Sequence, residues 1–347
     1  MTKTLKVALI GAGGIAQGVH IPNYKKAGDK VDIVAIADVV KEKAEACAKA
    51  HDIPQVFTDY HEMFENVEID AVSVCTPNKF HAPAVIAALN AGCHVICEKP
   101  PAMTPEEAEA MADAAKKAGK FLTYGFHYRF APEVQTVKRF IDAGELGHIY
   151  AANVIAMRRR GIPGWGVFTN KELQGGGPLI DIGVHMLDTA LYLMDYPEPE
   201  SVYGVTYQEI GIRKGVGLFG DWDWENFSVE DMARAMIRFK NGASIQLDSS
   251  FAANIEHAET MNVKLMGDQG GANVFPLKIF QEKHGALTDL TPVHLPKYGF
   301  HDLEIERFVD ACLSDTAPLS TPEQGVAIQK IINAIYESAE AKKSIHF

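Results

Sequence analysis

The chain opens on an alternation of short apolar runs and helix-forming segments. Leu5–Ile10 (LKVALI) is an apolar run stopped by GAGGIA, and a helical stretch follows to about Lys26. Residues 31–38 (VDIVAIAD) form a second, β-branched run, succeeded by VVKEKAEACAKAH, rich in strong helix formers. The same rhythm continues through DAVSVCT, PAVIAALNAG, HVIC, TPEEAEAMADAAKKAG and FLTYGF. In the last of these helices Thr104 is placed to cap, Pro105 occupies the first turn and Gly119 closes the end. Strands alternating with helices of this length predict a parallel sheet covered on both faces, a doubly wound Rossmann domain over residues 1–126.

Beyond residue 126 the period changes. One helix, 132–143, ended by Gly144, leads into segments of strand character: HIYAANVIAMRRR, SVYGVTYQEIG, DMARAMIRFK, GASIQLDSSFA and MNVKLMG. In FKNGASI an Asn-Gly pair between two alternating runs predicts a hairpin. GDQGGANVF reads as a further turn and strand, and helices over 302–313 and 322–341 finish the chain. The reading is an α+β domain over 127–347, built on a large open, mostly antiparallel sheet. One segment breaks its strand pattern: in LQGGGPLIDIGVHMLDTALYLM, three glycines and Pro178 precede a helical run whose apolar positions suit burial.

Composition narrows the partners. At 347 residues the chain has the length of about two domains. Its 33 basic and 45 acidic residues give a net charge of −12, which excludes a broad nucleic-acid or anionic-membrane surface and leaves a small molecule as the partner. Five cysteines without a C-x-x-C pair read as reduced thiols of a cytoplasmic protein. The N-terminus has two early lysines but only a short apolar run, with no secretory signal, and no stretch reaches the roughly 18 apolar residues of a membrane span.

In doubly wound sheets ligands bind beyond the carboxyl ends of the strands. Gly11, Gly13 and Ala16 fit G-x-G-x-x-G/A directly after a strand, with Gly14 and Ile15 inside the same turn. The helix that follows would offer its N–H groups to a pyrophosphate. Asp38, 27 residues after Gly11, ends the second strand, where a carboxylate accepts from ribose hydroxyls and repels a 2′-phosphate. The cofactor predicted is therefore NAD, with NADP disfavoured. Thr76, Asn78 and His81 follow a third strand end, and Glu98 and Lys99 a fourth. Pro100 and Pro101 stiffen the backbone after Lys99, and one of these X–Pro bonds is expected to be cis.

In the glycine-led helix Asp181 and His185 lie four apart, on a shared face of an α-helix. The carboxylate can orient the ring and raise its basicity; the alternative is a capping aspartate and a satisfied buried histidine. A metal reading fails for want of a matching third ligand. Gly175–Gly177 would let the backbone pass close to a ligand. Arg158 and Arg160 share a strand face that either lines a substrate cleft or lies on a solvated edge. Trp165 is the tryptophan assigned to substrate; Trp222 and Trp224 stay open.

Taken in order, GAGGIA, CTPNKFH, EKP, GFHYRF and GGGPLIDIGVH resemble the glucose–fructose oxidoreductase / inositol dehydrogenase / rhizopine-catabolism (Gfo/Idh/MocA) family. The resemblance implies catalytic roles for Lys99, Asp181 and His185 and substrates that are sugars, cyclic polyols or their keto forms. It also implies dimers or tetramers built through the second-domain sheet. GFHYRF departs from relatives at His127 and Tyr128; His127 and Arg129 are assigned to substrate together with Arg158. The chemistry read from these parts is hydride transfer from a secondary alcohol, with His185 as base, Asp181 as its orienting partner and Lys99 donating to the same oxygen. Two alternatives share the fold: an NAD-dependent glycosidase that oxidises its sugar transiently, and a non-catalytic sugar or NAD sensor.

Overall fold

The computed structural model describes residues 4–347; Lys3, one of the two early lysines, lies outside the described residues. The chain divides into two compact units, one holding the chain up to His127 together with Tyr298–Gln329, the other holding Tyr128–Lys297 and Lys330–Phe347.

The first unit contains six strands: β1 (Leu5–Ile10), β2 (Val31–Ala37), β3 (Gln55–Phe57), β4 (Ala71–Val74), β5 (His94–Cys97) and β6 (Leu122–Tyr124). They pair in parallel in the order β3-β2-β1-β4-β5-β6. Helices α1 (Ile21–Lys26), α2 (Lys41–His51), α3 (Tyr60–Asn66), α4 (His81–Asn90) and α5 (Pro105–Ala118) alternate with them. At α5, Thr104 accepts the N–H of Glu107 at 3.2 Å, and Gly119 turns left-handed at φ 62°. β3 and α3 escape the sequence reading because both are short and neither carries a clear periodicity.

Strands β1, β4, β5 and β6 are buried along nearly their whole length, as a sheet covered on both faces demands. Leu9, Ala16, Ile21, Ile36 and Cys47 pack in one cluster. A second cluster joins Leu5, Val7, Tyr24, Ala71 and Ile96 to Ile305, Phe308 and Val309. The last three come from a helix far along the chain, so the stretch 298–329, read from sequence with the second domain, completes the core of the first unit. Each fully buried Leu, Ile, Val or Phe side chain among them contributes about 1.5–3 kcal/mol.

The second unit is built on nine strands: β7 (Ile149–Arg158), β8 (Pro199–Tyr207), β9 (Met232–Phe239), β10 (Ser244–Ser250), β11 (Glu259–Gly267), β12 (Gly270–Asn273), β13 (Lys278–Lys283), β14 (Ala286–Leu290) and β15 (Ile345–His346). Their order is β14-β13-β12-β11-β7-β10-β9-β8-β15, antiparallel except for the β7–β10 pair. The Asn241–Gly242 hairpin joins β9 to β10, with Gly242 at φ 87°. Along β9, Ala233, Ala235, Ile237 and Phe239 are buried while Arg234, Met236 and Arg238 are exposed, so only one face of the sheet is covered. Helices α6 (Pro132–Asp142), α7 (Lys171–Gln174) and α8 (Val184–Leu193) belong to this unit, and α8 packs on β7 and β11. Two helices remain, α9 (Phe300–Ser314) in the first unit and α10 (Pro322–Ala341), whose first turns belong to the first unit and the rest to the second. Among the described residues no helix is long and apolar enough to cross a membrane.

Candidate functional site

In the first unit the strand order reverses between β1 and β4, the place where such sheets open a ligand crevice. Gly11 follows β1 at φ 99°, and a Cβ there would lie 2.6 Å from the Cys75 carbonyl oxygen, so no side chain fits. Around Gly13 and Gly14 an added Cβ would meet nothing within 4 Å. These glycines leave open ground in front of the helical run that begins at Ile15. Asp38 stands at the edge of this turn, its Oδ2 accepting the Ala12 N–H and its Oδ1 the Val40 N–H, both at 2.8 Å. The Thr76 hydroxyl, just past β4, is buried without a hydrogen-bond partner. A close-approach glycine turn, a fixed carboxylate at the ribose position and an unsatisfied hydroxyl at the switch point fit a bound NAD.

Past β4, Asn78 opens a 3₁₀ turn and is buried, and His81 begins α4. His81, placed beyond that strand end by the sequence, is held by protein on both ring nitrogens. The ring is fully buried, with Nδ1 2.8 Å from the Pro100 carbonyl and Nε2 3.0 Å from the Thr76 carbonyl. It therefore joins the loops beyond β4 and β5. Burial lowers its pKa against the opposing pull of those two carbonyls.

Glu98 is likewise held by protein. His20 lies 2.9 Å from it through Nε2 and 3.0 Å from Ser73 through Nδ1, and Tyr24 lies 2.7 Å from the same Ser73 oxygen. One direction of donation satisfies the whole buried chain. The Tyr24 hydroxyl donates to Ser73, Ser73 to His20, and His20 to the acceptor-only carboxylate. Burial opposes that charge, yet the His20 hydrogen bond and the nearby Lys99 carry the Glu98 carboxyl down to about 2. Gly125 is small for the same reason, since a Cβ there would press on the Glu98 carboxylate at 3.0 Å. The sequence reading missed His20, Ser73 and Tyr24, because a polar residue inside a helix or an apolar strand gives no signal until its partners are known. Lys99 follows β5 half-buried, and the Lys99–Pro100 bond is cis, as the proline pair led one to expect. His127 follows β6, its ring centroid 3.8 Å from that of His301.

In the second unit the glycine-led helix departs from plain α geometry. Leu179–Gly183 forms a π-helical turn that runs into α8. The Pro178 carbonyl accepts from the Ser249 hydroxyl at 2.8 Å, a side-chain insertion of the kind that bends a helical ladder. Asp181 thus lies on a π turn and His185 in the first turn of α8, so the α-helical shared-face argument does not carry over unchanged. His185 is buried with its ring centroid 5.5 Å from that of Tyr128. The glycines serve packing rather than a ligand. A Cβ on Gly176 would strike the Tyr336 hydroxyl and one on Gly177 the Glu230 carbonyl, while Gly175 ends α7 at φ 86°. Glu230 accepts the N–H groups of Gly177 and Leu179 at 2.9 and 3.2 Å and the Tyr336 hydroxyl at 2.8 Å.

Arg129, assigned to substrate from sequence, is held by protein. It is wholly buried, donates to both Asp188 oxygens at 2.9 and 2.7 Å and to Tyr196 at 2.8 Å, and lies over the rings of Tyr192 and Tyr196. Arg158 ends the interior strand β7; its Nε donates to Glu259 at 2.8 Å and its guanidinium lies over the Phe219 ring. Trp165 is 55% exposed, with its ring 5.6 Å from that of Phe219. Trp222 is buried and donates to the Gly211 carbonyl at 2.7 Å, which makes it a core of its own loop. A cleft of about 770 Å³ in this unit, lined by Arg159, Arg160, Arg213, Lys214 and Trp222, takes in Arg160 of the pair singled out from sequence but not Arg158.

Comparison with known proteins agrees over both units. Residues 5–126 match the model of an oxidoreductase family with an NAD-binding Rossmann fold, and residues 134–273 match the GFO/IDH/MocA C-terminal domain. D-glucoside 3-dehydrogenase of Escherichia coli K12 is 45% identical over 97% of this chain and 95% of its own. scyllo-Inositol 2-dehydrogenase (NAD(+)) of Bacillus subtilis 168 is 27% identical over 92% and 90% of the two chains. Among solved structures, levoglucosan dehydrogenase in complex with NADH aligns with a TM-score of 0.86 at 25% identity, covering 99% of both chains.

Proposed function

The chain belongs to the Gfo/Idh/MocA family of oxidoreductases, and on that premise we propose that it oxidises the C3 hydroxyl of a D-glucoside to a ketone with NAD as acceptor. The observation that carries this reading is the 45% identity, over 97% of the chain, to D-glucoside 3-dehydrogenase. When bound, NAD supplies the nicotinamide carbon that accepts the hydride. Gly11, Gly13, Gly14 and Ile15 would hold its pyrophosphate, Asp38 its ribose, and Thr76 and Asn78 the far side of the crevice.

The rest belongs to side chains. Breaking the C–H bond as hydride leaves a carbonyl only if the hydroxyl proton also departs, and His185 is the group that takes it. Asp181 orients the imidazole, and Lys99 donates a hydrogen bond to the oxygen while alkoxide charge develops. Glu98, held by His20, is a positioning residue behind Lys99. Arg158 and the exposed face of Trp165 are the substrate contacts. Tyr203 and Met236 pair across β8 and β9 and are 48% and 46% exposed on the uncovered sheet face, a surface suited to homodimers or homotetramers. Five free cysteines suit the cytoplasm.

The test is NADH formation, followed by absorbance, on a panel of alkyl and aryl glucosides and inositols, with the ketone's position read by NMR. NADH formed with glucosides and a 3-keto product supports the reading. Cleavage of the aryl glucoside without NADH accumulation would replace it with the glycosidase. The Lys99→Met variant should lower turnover by at least about 100-fold while NAD affinity stays nearly unchanged. A parallel collapse of NAD binding would put Lys99 in the cofactor site instead.

A further inference from the structure

We propose that His127, His301 and Glu304, all in the first unit, form a binding site for a divalent first-row transition ion of the zinc type. No sequence signature announces it, since the donors come from the turn after β6 and from the first two turns of α9, 174 residues further along the chain. One donor atom from each residue lies within 4.8 Å of the others. His301 and Glu304 sit at i and i+3, with Nδ1 and Oε2 3.6 Å apart. That separation is too long for a hydrogen bond, and the Nδ1 atom is buried without a hydrogen-bond partner. It is close to the roughly 3.4 Å between two donors of one tetrahedral ion at zinc–ligand distances of about 2.0–2.2 Å.

The surroundings suit a cation. Glu304 is buried, and its carboxylate faces the His301 ring. His127 bonds the Gly125 backbone, the outer-shell contact that fixes a ligating imidazole. Glu98 adds a negative field at both histidines and offsets that of Lys99. Two imidazoles and one carboxylate favour zinc or cobalt over magnesium or calcium, and leave a fourth position for water or a ligand oxygen.

The experiment uses the tag-free full chain, stripped with chelator, incubated with Zn²⁺ or Co²⁺ and gel-filtered. Metal analysis should find about one ion per chain, and bound Co²⁺ should show the intense visible bands of a tetrahedral site. His301→Ala and Glu304→Gln should each lose the ion while still binding NAD, which reports an intact first unit. A wild-type chain that retains no ion, or variants that retain it undiminished, overturns the proposal. If both variants lose NAD binding as well, the wild-type Co²⁺ spectrum decides: tetrahedral bands with nitrogen donors support the site, and an octahedral aquo-like spectrum refutes it.

Discussion

Gly11 and Gly13 belong to one motif but answer to different neighbours. Gly11 is required by the protein itself, because of its φ of 99° and the Cys75 carbonyl 2.6 Å from any Cβ. Gly11→Ala should therefore cost stability, by about 2 kcal/mol or more, in urea unfolding. Gly13 has no protein neighbour within 4 Å of an added Cβ, so the protein itself does not require a glycine there. Gly13→Ala should leave unfolding free energy within about 0.5 kcal/mol of the parent and weaken NAD binding by at least about tenfold in a fluorescence titration. Equal stability losses in the two variants would remove the distinction. His81 supplies a pH prediction. Burial lowers its folded pKa below 6.5, so as pH falls past that value the unfolded chain binds a proton that the folded chain refuses. Stability from this residue is full above about 6.5 and declines toward acid, by at most about 1.4 kcal/mol per pH unit. His81→Asn should flatten the slope of unfolding free energy against pH between about 5 and 7, and an unchanged slope would refute the assignment.

Among the elements, the helical run 179–193 shows how a motif can serve packing and chemistry together. Its glycines admit Tyr336 and the Glu230 backbone, Glu230 caps its first N–H groups, and Ser249 takes the Pro178 carbonyl. Asp181 and His185 are thereby carried on backbone held from three sides. The same run is anchored further on through Asp188, whose partner Arg129 sits just before α6. Burial works against the Arg129 charge, but Asp188 holds the guanidinium above its ordinary range, so the pair acts as a fixed ionic bolt. Arg129→Met leaves Asp188 buried and unbalanced and should cost about 3–5 kcal/mol in denaturant unfolding. A variant with parental stability and a raised KM would return Arg129 to the substrate.

For the whole molecule, the distribution of one core over distant chain segments matters most. Ile305, Phe308 and Val309 of α9 close over Leu5, Val7, Tyr24, Ala71 and Ile96, with Lys26–Asp302 at 2.8 Å and Lys30–Asp310 at 3.1 Å on the rim. The rim pairs are exposed and contribute little; the apolar contacts carry the attachment. A fragment ending at His127 should therefore be poorly folded and fail to bind NAD. Fusing residues 298–329 to it through a flexible linker should restore cooperative unfolding and NAD binding. Cooperative folding of the short fragment alone would show that α9 is dispensable.

Most of the first unit was legible because its information is local. β1, β5 and α5 declare themselves through apolar period, capping residues and glycine stops within about a dozen positions, and the glycine turn with Asp38 follows from strand ends alone. The same holds for the Asn241–Gly242 hairpin and for α10. Tertiary structure alone decided that His20 faces Glu98, that His81 bridges two loops, that Arg129 is a buried structural cation and that α9 returns to the first unit. Each of these depends on which group lies opposite across long sequence separation. A side chain's polarity states only that it needs a partner, and the folded chain chooses that partner.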